Sequence, residues 1–186
     1  MAIDPSFRNT GYAVIGLGGS AAADKVLESG IIRTEKNDKK RGLRAADQTV
    51  EQIGLMVSGL RVVAGRCSPS MMVVELPTSG GKSSRAVASM AIAQAVCAAF
   101  AVYEGLPAEW VTPRDVKKAA GGSYAAGKEE VQAHVLGLHP GLRAVYEHKS
   151  GAHKGSIRCE FEHVADAIGA FEAVKGTSPL VRMLRT

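Results

Sequence analysis

Hydrophobic and polar positions along this 186-residue chain change their period several times, and each change marks an element. Ala2-Ile3-Asp4 reads as a very short strand ending on a carboxylate, and Gly11 to Leu17 reads as a second strand. Gly18, Gly19 and Ser20 supply a turn, and Val26 to Arg33 completes a three-strand meander. From Arg41 to Leu60 the apolar residues Leu43, Ala46, Val50, Ile53, Val57 and Leu60 recur every three or four positions, the period of a helix with one face on a sheet. Met71 to Glu75 is a short apolar run closed by a carboxylate, as expected of a strand buried on both faces.

Ser83 or Ser84 caps a long alanine-rich helix that ends near Gly105. Ala108 to Val111 is a fifth strand, and Thr112-Pro113 starts a short helix through Ala120. Gly121 to Gly127 forms a flexible link before a helix from Lys128 to about Leu136. His148 to Arg158 is a loop containing Gly and Lys, and the last clear helix runs from about Glu160 to Val174. This order predicts an α/β protein with a mixed sheet, in one domain spanning residues 1–186, with no internal repeat and no linker.

Composition narrows the class. A chain 46% hydrophobic and 22% charged is neither disordered nor a repeat polymer. Its 23 Lys and Arg against 18 Asp and Glu leave a formal charge of +5, which suits an anionic partner. Cys67, Cys97 and Cys159 are odd in number and widely spaced, against a disulfide framework or a zinc site and in favour of a reducing compartment such as the cytoplasm. The opening Met-Ala-Ile-Asp-Pro lacks the features of a secretory signal. Ala86 to Tyr103 is rich in alanine and carries Ser89 and Gln94, so it is expected to be a buried soluble helix and not a membrane span.

Candidate chemistry lies at the strand ends. Asp4 closes the first strand and Glu75 the fourth, while His163 and Asp166, three apart, share a face of the last helix. Singly, each has an ordinary reading: a turn, a strand end in solvent, a surface pair. In this strand order Asp4 and Glu75 converge if their strands are neighbours, because ligands gather at the carboxyl ends of parallel strands. A carboxylate cluster for hard divalent ions is what two-metal phosphodiester chemistry requires.

The stretch Ile3-Asp4-Pro5-Ser6-Phe7-Arg8-Asn9-Thr10-Gly11-Tyr12-Ala13-Val14-Ile15 resembles the first motif of RuvC-type Holliday-junction resolvases, nucleases of the ribonuclease H-like fold. Glu28-Ser29-Gly30, Val73-Val74-Glu75, Thr112-Pro113-Arg114-Asp115-Val116-Lys117-Lys118, Gly127-Lys128-Glu129-Glu130-Val131-Gln132 and His163-Val164-Ala165-Asp166-Ala167-Ile168 follow in the family's order. The resemblance implies a five-stranded mixed sheet flanked by helices, with Asp4, Glu75, His163 and Asp166 as the catalytic, metal-binding set and Asp4 bridging two ions. It further implies magnesium-dependent cleavage of branched DNA, with manganese able to substitute, by a homodimer that places two sites on opposed strands of a four-way junction. The alanine-rich helix is a candidate for that dimer surface, with simple core as the equal alternative.

Several positions depart from the family. Ser6 and Phe7 replace a glycine and a serine, and Leu76-Pro77-Thr78 stands where bacterial members carry a junction-opening aromatic. Strand separation is then expected of another group, such as Phe7 or Tyr124. The first strand is short and the loop His148–Arg158 long, which marks a divergent member, a viral one included, acting on nucleoid or viral DNA.

The residues expected to meet DNA are Arg8, Lys82, Arg85, Arg114, Lys117, Lys118 and Lys128, of which the resemblance singles out Lys117 and Lys128. Such contacts give sequence-independent, salt-sensitive affinity. Arg33 to Arg44 is equally well a solvated face, and Lys149, Lys154 and Arg158, with His148 and His153, form a further group that is expected to order on DNA. Gly16 to Ala21 imitates a dinucleotide fingerprint but leaves too little room for its helix, and Ser79 to Ser83 imitates a P-loop without its first glycine, so no nucleotide cofactor is expected. The alternatives are a nuclease of the same fold acting on RNA/DNA hybrids or flaps, a non-catalytic junction-binding protein, and a nucleotide-binding protein of the actin and sugar-kinase type, which needs two lobes where this chain has length for one.

Overall fold

The computed structural model describes residues 1–19, 23–34, 44–76 and 83–185. Along the chain run β1 (Ala2–Asp4), β2 (Asn9–Gly16), β3 (Lys25–Arg33), α1 (Ala45–Cys67), β4 (Met72–Glu75), α2 (Ser84–Tyr103), β5 (Ala108–Val111), α3 (Pro113–Gly121), α4 (Lys128–Leu138), α5 (Gly141–Tyr146), α6 (Phe161–Val174) and α7 (Pro179–Leu184). The strands form one five-stranded sheet in the order β3-β2-β1-β4-β5. β1 and β2, and β2 and β3, pair antiparallel. β4 runs parallel to both β1 and β5. The three-residue β1 is therefore the central strand, and its carboxyl end lies beside that of β4.

Alternation along the strands sorts side chains onto two faces. Ile3, Met72 and Val74 pack with Met56 and Leu60 of α1 and Cys97 and Phe100 of α2. Ala2 and Val73 pack on the other face with Ala170 and Phe171 of α6, and Ala13 of β2 joins Phe161, Val164 and Ile168 there. Asp4 and Glu75, two residues beyond Ala2 and Val73, consequently share the α6 face. The helix they face is itself core: Phe161, Val164, Ala165, Ala167, Ile168 and Ala170 of α6 are all fully buried.

Two glycines allow that depth of packing. A Cβ on Gly11 would lie 2.2 Å from the carbonyl oxygen of His163, and one on Gly169 would lie 2.7 Å from Val116 Cγ1 of α3. Only a residue without a side chain lets α6 lie directly on β2 at the point where Gly11 pairs with Asp4.

The structure shifts several expected boundaries. α1 runs on past Leu60 to Cys67 because Val63 continues its buried stripe, and it stops where Ser68 enters the left-handed region with φ 44°. Its expected start at Arg41 lies outside the described residues. Ser83 is the residue that caps α2, its Oγ accepting from Ala86 N at 3.3 Å. α5 and α7 were not expected; each is a six-residue helix, too short to show a hydrophobic period.

α2 also differs from the buried helix expected. Among the described residues it is long and apolar enough to cross a membrane, but only 28% of that stretch is buried. Its covered residues, Ala93, Val96, Cys97, Phe100 and Ala101, lie towards its C-terminal end. The loop His148–Arg158 is likewise already folded: Glu147 and Ile157 form an antiparallel bridge, and Gly155 N donates to His148 O at 3.0 Å.

Candidate active site

At the carboxyl ends of β1 and β4 the four predicted residues meet. His163 Nδ1 lies 2.8 Å from Asp4 Oδ2, and since a carboxylate has no proton to offer, the imidazole N–H donates. That bond joins the first strand to the last long helix across 159 residues of sequence. Asp166 and Glu75 complete the group: Asp4 and Asp166 both act on Glu75 electrostatically, and Asp4 acts on Asp166.

Burial and mutual repulsion set the protonation of this rim. The Glu75 carboxyl is pushed up to about 9, first by burial and then by the charges of Asp4 and Asp166, with Lys117 opposing. Asp166 is pushed up to about 7 by burial and by Asp4 and Glu162, with His163 and Lys128 opposing. His163 is raised in turn, chiefly by its hydrogen bond to Asp4, against the effect of its own burial. Buried carboxyls with raised affinity for a proton are groups whose charge lacks a partner.

The clearest sign of this is Glu75 Oε2, a buried oxygen with no hydrogen-bond partner. Buried polar atoms are almost always paired, so an orphan at a cluster of acids marks a place where a cation would restore the balance. Carboxylate oxygens suit a hard divalent ion, and the imidazole of His163 can serve as a further donor. The side chains do not form a ready-made cage, however: among the described residues no three His, Cys, Asp or Glu are arranged to hold one ion. In donor chemistry the set fits such an ion, and Asp4 is already bonded to His163.

Two lysines border the rim. Lys117, on α3, reaches Glu75 electrostatically. Lys128, at the start of α4, bonds Glu162 of α6, a partner that was not anticipated. Its ammonium is held to the charged form mainly by that bond, with Asp166 and Asp4 contributing.

The remaining expected DNA contacts are spread more widely. Arg8, Arg85, Arg114 and Lys118 are all exposed, and Lys82 lies outside the described residues. Arg158 is an internal staple: it stacks over Tyr146 at 5.7 Å, bonds the Val145 carbonyl and keeps a buried Nε. Phe7 does not face solvent as a strand-separating group would. It is 9% exposed in the core beside α1 and α2, and its carbonyl accepts from Thr34 Oγ1 at 2.5 Å. The turn holding it is closed again by Thr10 Oγ1 donating to Ser6 O at 2.7 Å.

A cavity lined by Met1, Leu17, Cys67, Ser70, Met71 and Phe171 lies away from the rim, at the amino ends of β1 and β4.

Comparison with known proteins adds a lineage to this geometry. The family model described as crossover junction endodeoxyribonuclease RuvC matches residues 1–143. The RuvC of Trichlorobacter lovleyi is 31% identical over 138 residues, which cover 74% of this chain and 71% of that protein. The RuvC of Chlorobaculum parvum is 32% identical over 145 residues, 74% of this chain and 69% of that one. Among solved structures, T. thermophilus RuvC in complex with a Holliday junction substrate superposes with a TM-score of 0.68 at 21% identity, covering 99% of this chain and 94% of the other. The yeast mitochondrial Holliday junction resolvase Ydc2 gives 0.58 at 10% identity, covering 99% and 82%. Both share the ribonuclease H-like fold of five mixed strands and flanking helices found here.

Proposed function

The chain belongs to the RuvC family of crossover junction endodeoxyribonucleases, and from that premise we propose that Asp4, Glu75, His163 and Asp166 are the residues with which it hydrolyses DNA at four-way junctions. The protein is a junction-cleaving endonuclease that acts on branched DNA as a dimer, and divalent-metal dependence goes with its family. The observation that carries the site assignment is the buried, unpartnered Glu75 oxygen within electrostatic reach of Asp4 and Asp166, with Asp4 bonded to His163.

Asp4, Glu75, Asp166 and His163 would hold magnesium, with manganese as substitute, and Asp4, which acts on both other carboxyls, is the member suited to be shared between ions. Such ions supply an activated water and neutralise charge on the leaving oxygen. The chain's own part is positional. Gly11 seats α6 on β2 and so brings His163 to Asp4. The Nδ1 proton of His163 orients the Asp4 carboxylate, and burial of Glu75 and Asp166 raises their affinity for a proton, a demand that a bound cation would meet instead. Lys117 and Lys128 offset part of the negative field that would otherwise repel a phosphate.

Arg8, Arg85, Arg114, Lys118 and Lys82 extend a DNA-facing surface beyond the rim. The exposed N-terminal half of α2, with the small side chains of Ala86, Ala88 and Ala91, is the proposed dimer surface. The whole chain works as one nuclease domain in the cytoplasm, wherever its DNA is held.

The test is a side-by-side assay of four-way, three-way, flap, RNA/DNA hybrid and linear duplex substrates in magnesium. Opposed nicks in the four-way junction are expected at a rate at least 100-fold above linear duplex. Asp4→Asn and Glu75→Gln should each reduce cutting by roughly 1,000-fold or more while junction binding persists. Equal cutting of hybrid and junction would overturn the substrate assignment, and normal cutting by Asp4→Asn would overturn the site.

A further inference from the structure

We propose that Tyr124 is a stacking platform for an unpaired nucleobase, with Arg114 and Lys118 as the cations that take the neighbouring phosphates. The proposal rests on the branched-DNA reading above and adds a base-contacting residue to it.

The ring is set out in solvent on a rigid support. Tyr124 is 47% exposed, in a turn where Ala126 N donates to Ser123 O at 3.1 Å and Ala125 N to Ser123 Oγ at 3.2 Å. The turn is anchored at both ends. Ala126 is buried so closely on Gly121 that a Cβ there would lie 2.2 Å from its own, and Glu130 accepts from Gly127 N at 2.6 Å to start α4. Gly122, at φ 73°, lets the chain leave α3 in the left-handed conformation this geometry needs. The segment expected to be a flexible link is thus a built stage with one aromatic upon it.

Two cations stand over that ring. Arg114 Cζ is 4.9 Å and Lys118 Nζ 5.0 Å from its centroid. They are four residues apart, on the exposed side of α3. Among the described residues neither has a hydrogen-bonded carboxylate. Asp115, whose charge both feel, is committed to the cap of α3, where it accepts from Thr112 N at 2.9 Å and Thr112 Oγ1 at 2.6 Å. An exposed cation–π contact is weak, whereas a charge-assisted bond to phosphate is strong. A DNA backbone arriving here would draw both cations off the ring and leave its face to a base, the combination by which proteins hold single strands. Bases stacked within a duplex present no free face, so the ligand is an unstacked nucleotide, as a branch point supplies. Lys117 of the same helix reaches the acidic rim, so one DNA molecule can engage both places.

Parent, Tyr124→Ala, Tyr124→Leu and Tyr124→Phe proteins should be titrated, with calcium present, into two probes: a 2-aminopurine single strand and a four-way junction with 2-aminopurine at its branch point. Expected is quenching by the parent and Tyr124→Phe, absent in Tyr124→Ala and Tyr124→Leu. Single-strand affinity should fall roughly 5- to 50-fold in the latter two. If Tyr124→Ala matches the parent on both probes, or Tyr124→Leu matches Tyr124→Phe, the platform is overturned. A parent that prefers no junction but loses its single strand on Tyr124→Ala would sink the branched-DNA reading and leave the platform standing. A parent that binds neither probe would overturn both.

Discussion

The acidic rim and the α3–α4 turn both gather charge, but under opposite physical conditions. At the rim, groups from β1, β4 and α6 are brought together by long-range packing and are largely buried, so their charges repel strongly and Glu75 and Asp166 gain affinity for protons. At the turn, Arg114 and Lys118 stand in solvent over Tyr124, four residues apart on one helix. Like charges there interact weakly because water screens them. The difference separates two tasks: the buried cluster stores a demand for a cation, and the exposed one offers cations to an anion.

Breaking the support of the rim should have the largest effect. Gly11→Ala places a methyl against the His163 carbonyl and should destabilise the protein by roughly 2–4 kcal/mol and abolish junction cutting. Chemical denaturation and the nicking assay check both outcomes. The variant Gly122→Ala at the end of α3, where no neighbour obstructs a Cβ, should cost about 1 kcal/mol for its left-handed φ alone.

The next effect sharpens the electrostatic half of the comparison. A carboxyl raised to about 9 in the fold, from an ordinary value of 4.5, binds its proton more tightly folded than unfolded. Its contribution to stability is therefore full below about pH 4.5 and is lost as pH rises towards 9. Asp166, raised to about 7 from 3.8, acts in the same direction over a lower window. Metal-free protein should lose thermal stability between pH 5 and 9, and Glu75→Gln should flatten that slope. At pH 9 its melting temperature should exceed the parent's by roughly 2–6 °C. Thermal melts in chelator decide it; a parent curve without a downward slope would refute the assignment.

The smallest effect distinguishes the two lysines at the border. Lys117→Ala should weaken junction binding roughly 3- to 10-fold and lower the salt slope by about 1. Lys128 must first leave Glu162, so Lys128→Ala should do less. Gel-shift titrations at several salt concentrations measure the order, and a larger loss at Lys128 would reverse it.

The strands and long helices were legible because their apolar periods are local, and so were the names of the rim residues, because Asp4 and Glu75 end strands and His163 and Asp166 share a helical face. Less legible were elements that lack a period, such as α5 and α7, and roles that depend on distant neighbours. Phe7 and Tyr124 look equivalent as aromatics in polar surroundings, yet one is core and the other exposed. Arg158 and Lys117 look equivalent as loop and helix cations, yet one bonds the Val145 carbonyl and the other faces the acids.

By itself, then, the sequence determined the order of the strands and long helices, the α/β class and the acidic residues at the strand ends, since each is written in spacings of two to four positions. Tertiary structure decided the rest. It joined Asp4 to His163 through Gly11, withdrew Glu75 from water without a partner, and aimed Lys117 at the acids and Tyr124 outward. Proton affinity and exposure follow from what surrounds a side chain in space, and those surroundings come from residues far away along the chain.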